Sequence, residues 1–172
     1  MLSSLGNIIL FLTVFLSFAI IFISFQNLKD TRPLVYKKLY QLCLLQSTMI
    51  FLCFSVLVTA FIISDFSIVT VYQNSHSLKP LLYKISGTWG NHEGSLLLWL
   101  LVLTLFILLF LLRSVEQPKK YRILTLLFQQ VIIIGFFIFL IKTSNPFDYI
   151  YPVPKEGLGL NPILQDPALA IH

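Results

Sequence analysis

Charge is scarce in this chain. Only 11% of its 172 residues are Asp, Glu, Lys or Arg, roughly half the share that a soluble domain carries. Meanwhile 57% are hydrophobic and gathered in long runs, which puts the chain in the membrane class. Cysteine is nearly absent. Cys43 and Cys53 lie ten positions apart in one apolar run, hence about 15 Å apart along a helix. That separation excludes a disulfide within the helix. No Cys-x-x-Cys occurs, so the chain offers no dithiol redox chemistry of its own. A nucleotide-binding Gly-rich loop, a nucleophile with its base and a dense ligand set for a closed metal site are also missing. The central part of each apolar run is free of charge, which argues against a proton relay inside this chain.

Four apolar runs are present: about Ile8 to Phe25, Leu42 to Ile63, Leu96 to Leu112 and Ile123 to Ile141. Each is near the roughly 20 residues that a spanning helix needs. The first lacks a positive leading segment and a small-x-small cleavage site, so it reads as a span and not as a signal peptide. The expected fold is an all-α membrane protein of about four transmembrane helices. Residues 1–141 form the bundle, and 142–172 form a Pro-rich external tail whose prolines prevent a long helix.

The basic residues orient it. Lys29, Arg32, Lys37 and Lys38 lie in one short loop, and Arg113, Lys119, Lys120 and Arg122 in another. Lys79, Lys84, Lys142 and Lys155 occupy the opposite side. The eight-to-four bias puts the two basic loops in the cytoplasm or matrix. Both termini then face the outer side, periplasm or intermembrane space. Because this topology explains the net charge of +5, the lipid bilayer is an expected partner and nucleic acid is not.

One cluster stands out at the start of the third run. Gly87-Thr88-Trp89-Gly90-Asn91-His92-Glu93-Gly94-Ser95 leads straight into Leu96-Leu97-Leu98-Trp99. In one reading Asn91 caps the helix, Glu93 suits the positive end of its dipole, Gly87, Gly90 and Gly94 allow tight turns or close backbone approach, and Trp89 and Trp99 anchor at the interface. In the other, the cluster is a pocket for a polar group, with His92 as donor or ligand. His172 is a second candidate ligand for haem iron or zinc. His76, among Asn74, Ser75 and Ser77, reads as a solvated loop residue. Gln46, Gln129 and Gln130 read as hydrogen-bonding glue between helices.

The segment Ile85 to Trp99 resembles the N-terminal signature of the CcmF family, the membrane haem lyase subunits of a cytochrome c maturation system. A second match is the tail Gly159-Leu160-Asn161-Pro162-Ile163-Leu164-Gln165-Asp166-Pro167-Ala168-Leu169-Ala170-Ile171-His172, which in the family reads on into His-Pro-Pro. The resemblance covers the whole chain but only roughly the first quarter to third of a typical member. It implies a role in attaching haem covalently to the Cys-x-x-Cys-His thiols of apocytochrome c outside the membrane, not as a catalyst alone.

By the same resemblance His172 occupies the position of the family's first external haem ligand. Trp89, Gly90, His92, Glu93, Gly94, Ser95 and Trp99 belong to the motif without an assigned role. Haem would be the cofactor, shared with a partner chain. The implied partners are the remaining CcmF-type chain with its tryptophan-rich haem-handling segment, a haem chaperone, and apocytochrome c with its thiol-handling partner. That segment, the second external His and the paired membrane His residues of the family are not in this chain, so a split-gene product or a fragment is expected. The composition suits an AT-rich organellar genome, which favours the mitochondrial inner membrane, with a bacterial plasma membrane as the alternative. A structural or transport subunit of a respiratory-type complex, out of contact with haem, is the competing reading.

Overall fold

A computed structural model describes residues 1–28 and 33–159, with the backbone alone at 33–35. Six helices follow in order among these residues: α1 Leu2–Gln26, α2 Pro33–Ile63, α3 Val69–Asn74, α4 Leu81–Gly87, α5 His92–Arg113 and α6 Lys119–Thr143. α1, α2 from Tyr36 onward, α5 and α6 are long and apolar enough to cross a membrane. No strand occurs among the described residues; the one sheet-like feature is an isolated antiparallel bridge between Ile68 and Tyr149. The fold is therefore all-helical, as expected.

The four long helices close a ring in which α1 touches α2 and α6, and α5 touches the same two. The buried seam of α1 explains its close approach. Ser3, Gly6, Leu10, Thr13, Ser17, Ile20 and Ser24 recur at spacings of three and four and are mostly small. Small residues let helix backbones approach where no hydrophobic force exists between helices in lipid. The large side chains point the other way: Phe15, Phe18, Phe22 and Phe25 are exposed on the bundle surface.

Three polar side chains inside the ring form one hydrogen-bonded group. Gln46 and Gln130, both fully buried, exchange amide hydrogen bonds at 2.9 and 3.1 Å. The Gln46 amide also donates to the Ser17 hydroxyl at 2.7 Å, so α1, α2 and α6 are tied at one depth. Gln129 does not join them; its carbonyl oxygen is buried with no partner among the described residues. Gln46→Leu should lower stability by roughly 1–2 kcal/mol by orphaning Gln130. The double change Gln46→Leu/Gln130→Leu should recover part of that in denaturing-detergent titrations.

The far end of the ring is held by Arg122. Counted by sequence as a loop charge, it is instead buried in the first turn of α6. Its guanidinium lies 3.5 Å over the Tyr36 ring and donates to the Leu111 carbonyl at 3.0 Å and the Ser114 hydroxyl at 3.1 Å. One side chain thus joins the start of α2, the end of α5 and the start of α6.

Candidate functional site

The opposite end carries the motif residues and a cap built from two distant segments. α2 stops because Ser64 adopts a left-handed φ of 59° and the Asp65 amide turns back to the Ala60 carbonyl at 2.9 Å, a helix-ending arrangement that gives a last-turn carbonyl its donor. The chain then forms α3 and α4 and re-enters the ring at His92.

Asn91 organises that re-entry. Its side-chain oxygen accepts from the Gly94 amide at 2.7 Å, satisfying a first-turn donor of α5. Its side-chain nitrogen donates back to the carbonyls of Gly87 at 2.6 Å and Thr88 at 3.2 Å. One side chain therefore fastens the end of α4 to the start of α5. The fit requires Gly94 to lack a side chain, because a Cβ there would overlap the Thr88 carbonyl oxygen. Gly87 is buried against Phe61, with the Lys79 ammonium close by.

The remaining motif residues face outward. His92 is exposed and packs edge-on against Phe139, ring centroids 5.9 Å apart. Glu93 and Trp89 are half-buried, and Trp99 projects from the bundle surface. The Ser95 hydroxyl donates to the His92 carbonyl at 3.0 Å. Gly90 lies in the turn, its amide donating to the Ser86 carbonyl at 2.9 Å. Among the described residues, no imidazole–carboxylate pocket closes around His92.

A second constellation escaped the sequence reading. The segment after α6 crosses this end of the ring and docks on the segment after α2. Ser3 and Asn7 of α1 both donate to the Phe147 carbonyl, at 2.7 and 3.2 Å. The Phe147 ring is fully buried over Gly6, where a Cβ would overlap it. The Val69 amide donates to the Asp148 carbonyl and the Ile150 amide to the Ser67 carbonyl, both at 2.9 Å.

Farther out, Glu156 forms a clasp. Its carboxylate accepts from the Ser77 amide at 2.8 Å and the Ser77 hydroxyl at 2.6 Å, with His76 Nδ1 at 3.8 Å. The Leu158 and Gly159 amides then donate to the Tyr72 and Ser75 carbonyls at 2.8 and 3.1 Å. The Ser77 hydroxyl and amide hold the Glu156 carboxyl down at a pKa of about 2. A carboxylate whose folded pKa lies below its unfolded value contributes its full stability above the unfolded value and loses it progressively as pH falls from there through the folded one. The clasp should therefore persist from neutral pH to about pH 5. Glu156→Gln should speed amide exchange at Leu158 and Gly159, whereas that pH change, after correction for intrinsic rates, should not.

His76 stands beside the clasp as a half-buried loop residue, its Nδ1 turned to the Leu78 amide. It also lines a cavity of about 530 Å³ with Leu78, Lys79, Pro80, Tyr83, Leu158 and Gly159. Desolvation, and then the neighbouring Lys84, lower the Lys79 pKa to about 8. Residues 77 and 156 are 79 positions apart, and nothing local in either segment announces the pairing.

The described residues do not by themselves make a haem site. Cys43 and Cys53 are buried in the core, and His92 lies edge-on against Phe139. His76 Nδ1 accepts from the Leu78 amide at 3.2 Å. No three His, Cys, Asp or Glu residues converge among the described residues, and no second imidazole lines the cavity beside His76. His172, the expected ligand, lies outside the described residues.

Comparison with known proteins adds a lineage. A family model described as "Cytochrome C assembly protein" matches residues 89–172. The cytochrome c-type biogenesis protein CycK of Rhizobium meliloti is 51% identical over 119 residues, which are 69% of this chain and 18% of that protein. Escherichia coli CcmF, also a cytochrome c-type biogenesis protein, is 41% identical over 120 residues, 69% of this chain and 18% of that one. Haemophilus influenzae NrfE is 32% identical over 172 residues, covering 100% of this chain and 27% of NrfE. Among solved structures, the cytochrome c haem lyase CcmF superposes with a TM-score of 0.76 at 22% identity, over 86% of this chain and 25% of that one. The chain spans about a fifth to a quarter of the length of these relatives.

Proposed function

The chain belongs to the cytochrome c assembly family, as a counterpart of the N-terminal portion of its CcmF, CycK and NrfE members, and from that premise we propose that it serves as a subunit or N-terminal piece of a CcmF-type haem lyase. The observation that carries this reading is the 51% identity to CycK, a cytochrome c-type biogenesis protein, over 69% of the chain. In this role the four helices are the membrane platform. The cap built on Asn91, Phe147 and Glu156 presents the following segment, with His172, on the outer side of the membrane. Four apolar spanning-length helices make the location an integral-membrane one. The bacterial origin of the relatives supports a plasma membrane over the mitochondrial inner membrane that composition favoured.

Haem supplies the iron and the vinyl groups that become thioether-linked in such a system, and the described residues of this chain route no step through it. What they do is positional. Asn91 fixes the entry of α5, and Phe147 and Glu156 fix the path of the outer segment. The remaining CcmF-type chain, a haem chaperone and apocytochrome c with its thiol-handling partner are the partners of this reading.

A mild-detergent pull-down of the chain, with an absorption spectrum and mass spectrometry, tests it. A tryptophan-rich membrane partner together with a haem Soret band is the expected result. Haem-free association with respiratory or transport subunits would sink it. Within the assembled complex, His172→Ala should lower haem occupancy and cytochrome c yield together. Unchanged values would withdraw the ligand role and leave a scaffold that haem does not touch.

A further inference from the structure

The lysines beside the outer cavity have no assigned task. The Lys84 ammonium donates to the Ser64 hydroxyl at 2.7 Å and lies 3.4 Å from the Ile62 carbonyl. This fastens α4 beside the last turn of a membrane-length helix, and so places α4 at the level where that helix leaves the bilayer. At that level an uncovered apolar surface is conspicuous. Leu78 is 86% exposed, and Leu81 and Leu82 are each 57% exposed, although all three lie in a segment otherwise docked on the protein.

Two cations, Lys79 and Lys84, stand beside these leucines, with the Glu156 carboxylate on neighbouring Ser77. Lys84 lies close enough to oppose the proton on Lys79, and neither lysine has a carboxylate ion pair among the described residues. The nearby acids are committed elsewhere. Glu156 is held by Ser77 and the Gly157 amide, and Asp65 by the Ser67 amide and hydroxyl. Lys79, whose ammonium donates to the Asn74 carbonyl at 2.9 Å, opens onto the cavity of about 530 Å³ with His76 and Tyr83.

We propose that the 76–84 face is a site for an anionic phospholipid, its phosphate held between Lys79 and Lys84 and its acyl chains lying along Leu78, Leu81 and Leu82. A bare cation pair would suit any soluble anion, and a bare leucine patch any neutral lipid. Unpaired cations and exposed leucines side by side, at the depth where a spanning helix ends, match an acidic headgroup on its own acyl chains. The site is independent of the haem-lyase reading, since it uses none of the motif residues or His172.

The test is association of spin-labelled phosphatidylglycerol, against spin-labelled phosphatidylcholine, with the full chain in phosphatidylcholine vesicles. The wild-type chain should immobilise phosphatidylglycerol preferentially, and replacing either lysine by Gln should cut that preference roughly five-fold. Lys84→Arg, which keeps both the charge and the tie to Ser64, should retain it. Lys142→Gln, a cation in the last turn of α6 and not on the 76–84 face, should leave it unchanged. Equal association of the two lipids would overturn the proposal, as would a preference that survives Lys79→Gln/Lys84→Gln. Displacement of the label by inorganic phosphate would also overturn it, by assigning the lysines to a soluble anion.

Discussion

Gly94→Ala should abolish folded chain or come close to it. The new methyl would occupy the place of the Thr88 carbonyl oxygen, a backbone atom that Asn91 holds from the other side. Side chains can rotate away from an added methyl; this carbonyl can move only if the 87–91 turn opens. Opening it costs the Gly94 amide its partner in Asn91 and separates α4 from α5. Loss of several interactions at once places the expected destabilisation at about 3 kcal/mol or more, in the rare upper tail for a single substitution. Yield after detergent extraction and resistance to denaturing detergent would show it. A matched control is available in the same chain. Gly135, within α6, has nothing within 4 Å of where its Cβ would be. Gly135→Ala should be neutral or stabilise by about 0.5–1 kcal/mol through the helix propensity of alanine. Equal behaviour of the two variants would refute the steric account.

The second large effect is expected at Gly6. A Cβ there would overlap the buried Phe147 ring. Because Phe147 is held by Ser3 and Asn7 through its carbonyl, its ring cannot retreat without releasing the segment after α6. Gly6→Ala should therefore destabilise by about 1–3 kcal/mol, the usual range for overpacking, and should loosen the cap selectively. Hydrogen exchange at Val69 and Ile150, whose amides bond across that cap, should quicken before exchange inside α2 or α5 does. Gly6→Ala/Phe147→Leu should regain part of the loss by restoring room. Failure of the smaller ring-free side chain to help would mean that the clash is not the cause.

The four long helices were legible because their signal is bulk hydrophobicity, which lipid imposes on every exposed side chain of a span. Their ends were less so. α2 begins at Pro33, nine residues before the apolar run that announced it. Hydropathy records the depth of hydrocarbon, while helical hydrogen bonding continues into the headgroup region; Lys37 and Lys38 stay exposed there. Within the motif, the Asn91 cap was readable from its type and place. Close backbone approach was readable as one option for Gly94, but its partner Thr88 was not, since such an approach leaves only a glycine in the sequence. The clasp of Glu156 on Ser77 was hidden for another reason. Pairing between segments so far apart depends on the whole ring having closed first. Arg122 shows the same limit: its loop-like charge count concealed a stacked, buried guanidinium.

The small-residue seam of α1, with its phenylalanines turned outward, bears on how the chain is made. A folded state that hides serine, threonine and glycine while displaying Phe15, Phe18 and Phe22 has no counterpart in water. The ring can assemble only after each helix is already in the bilayer, so insertion must come first and helix association second. Translation without a membrane would then yield aggregate and not a misfolded but rescuable monomer, and the insertion machinery, more than a soluble chaperone, would limit how much of the protein a cell can hold.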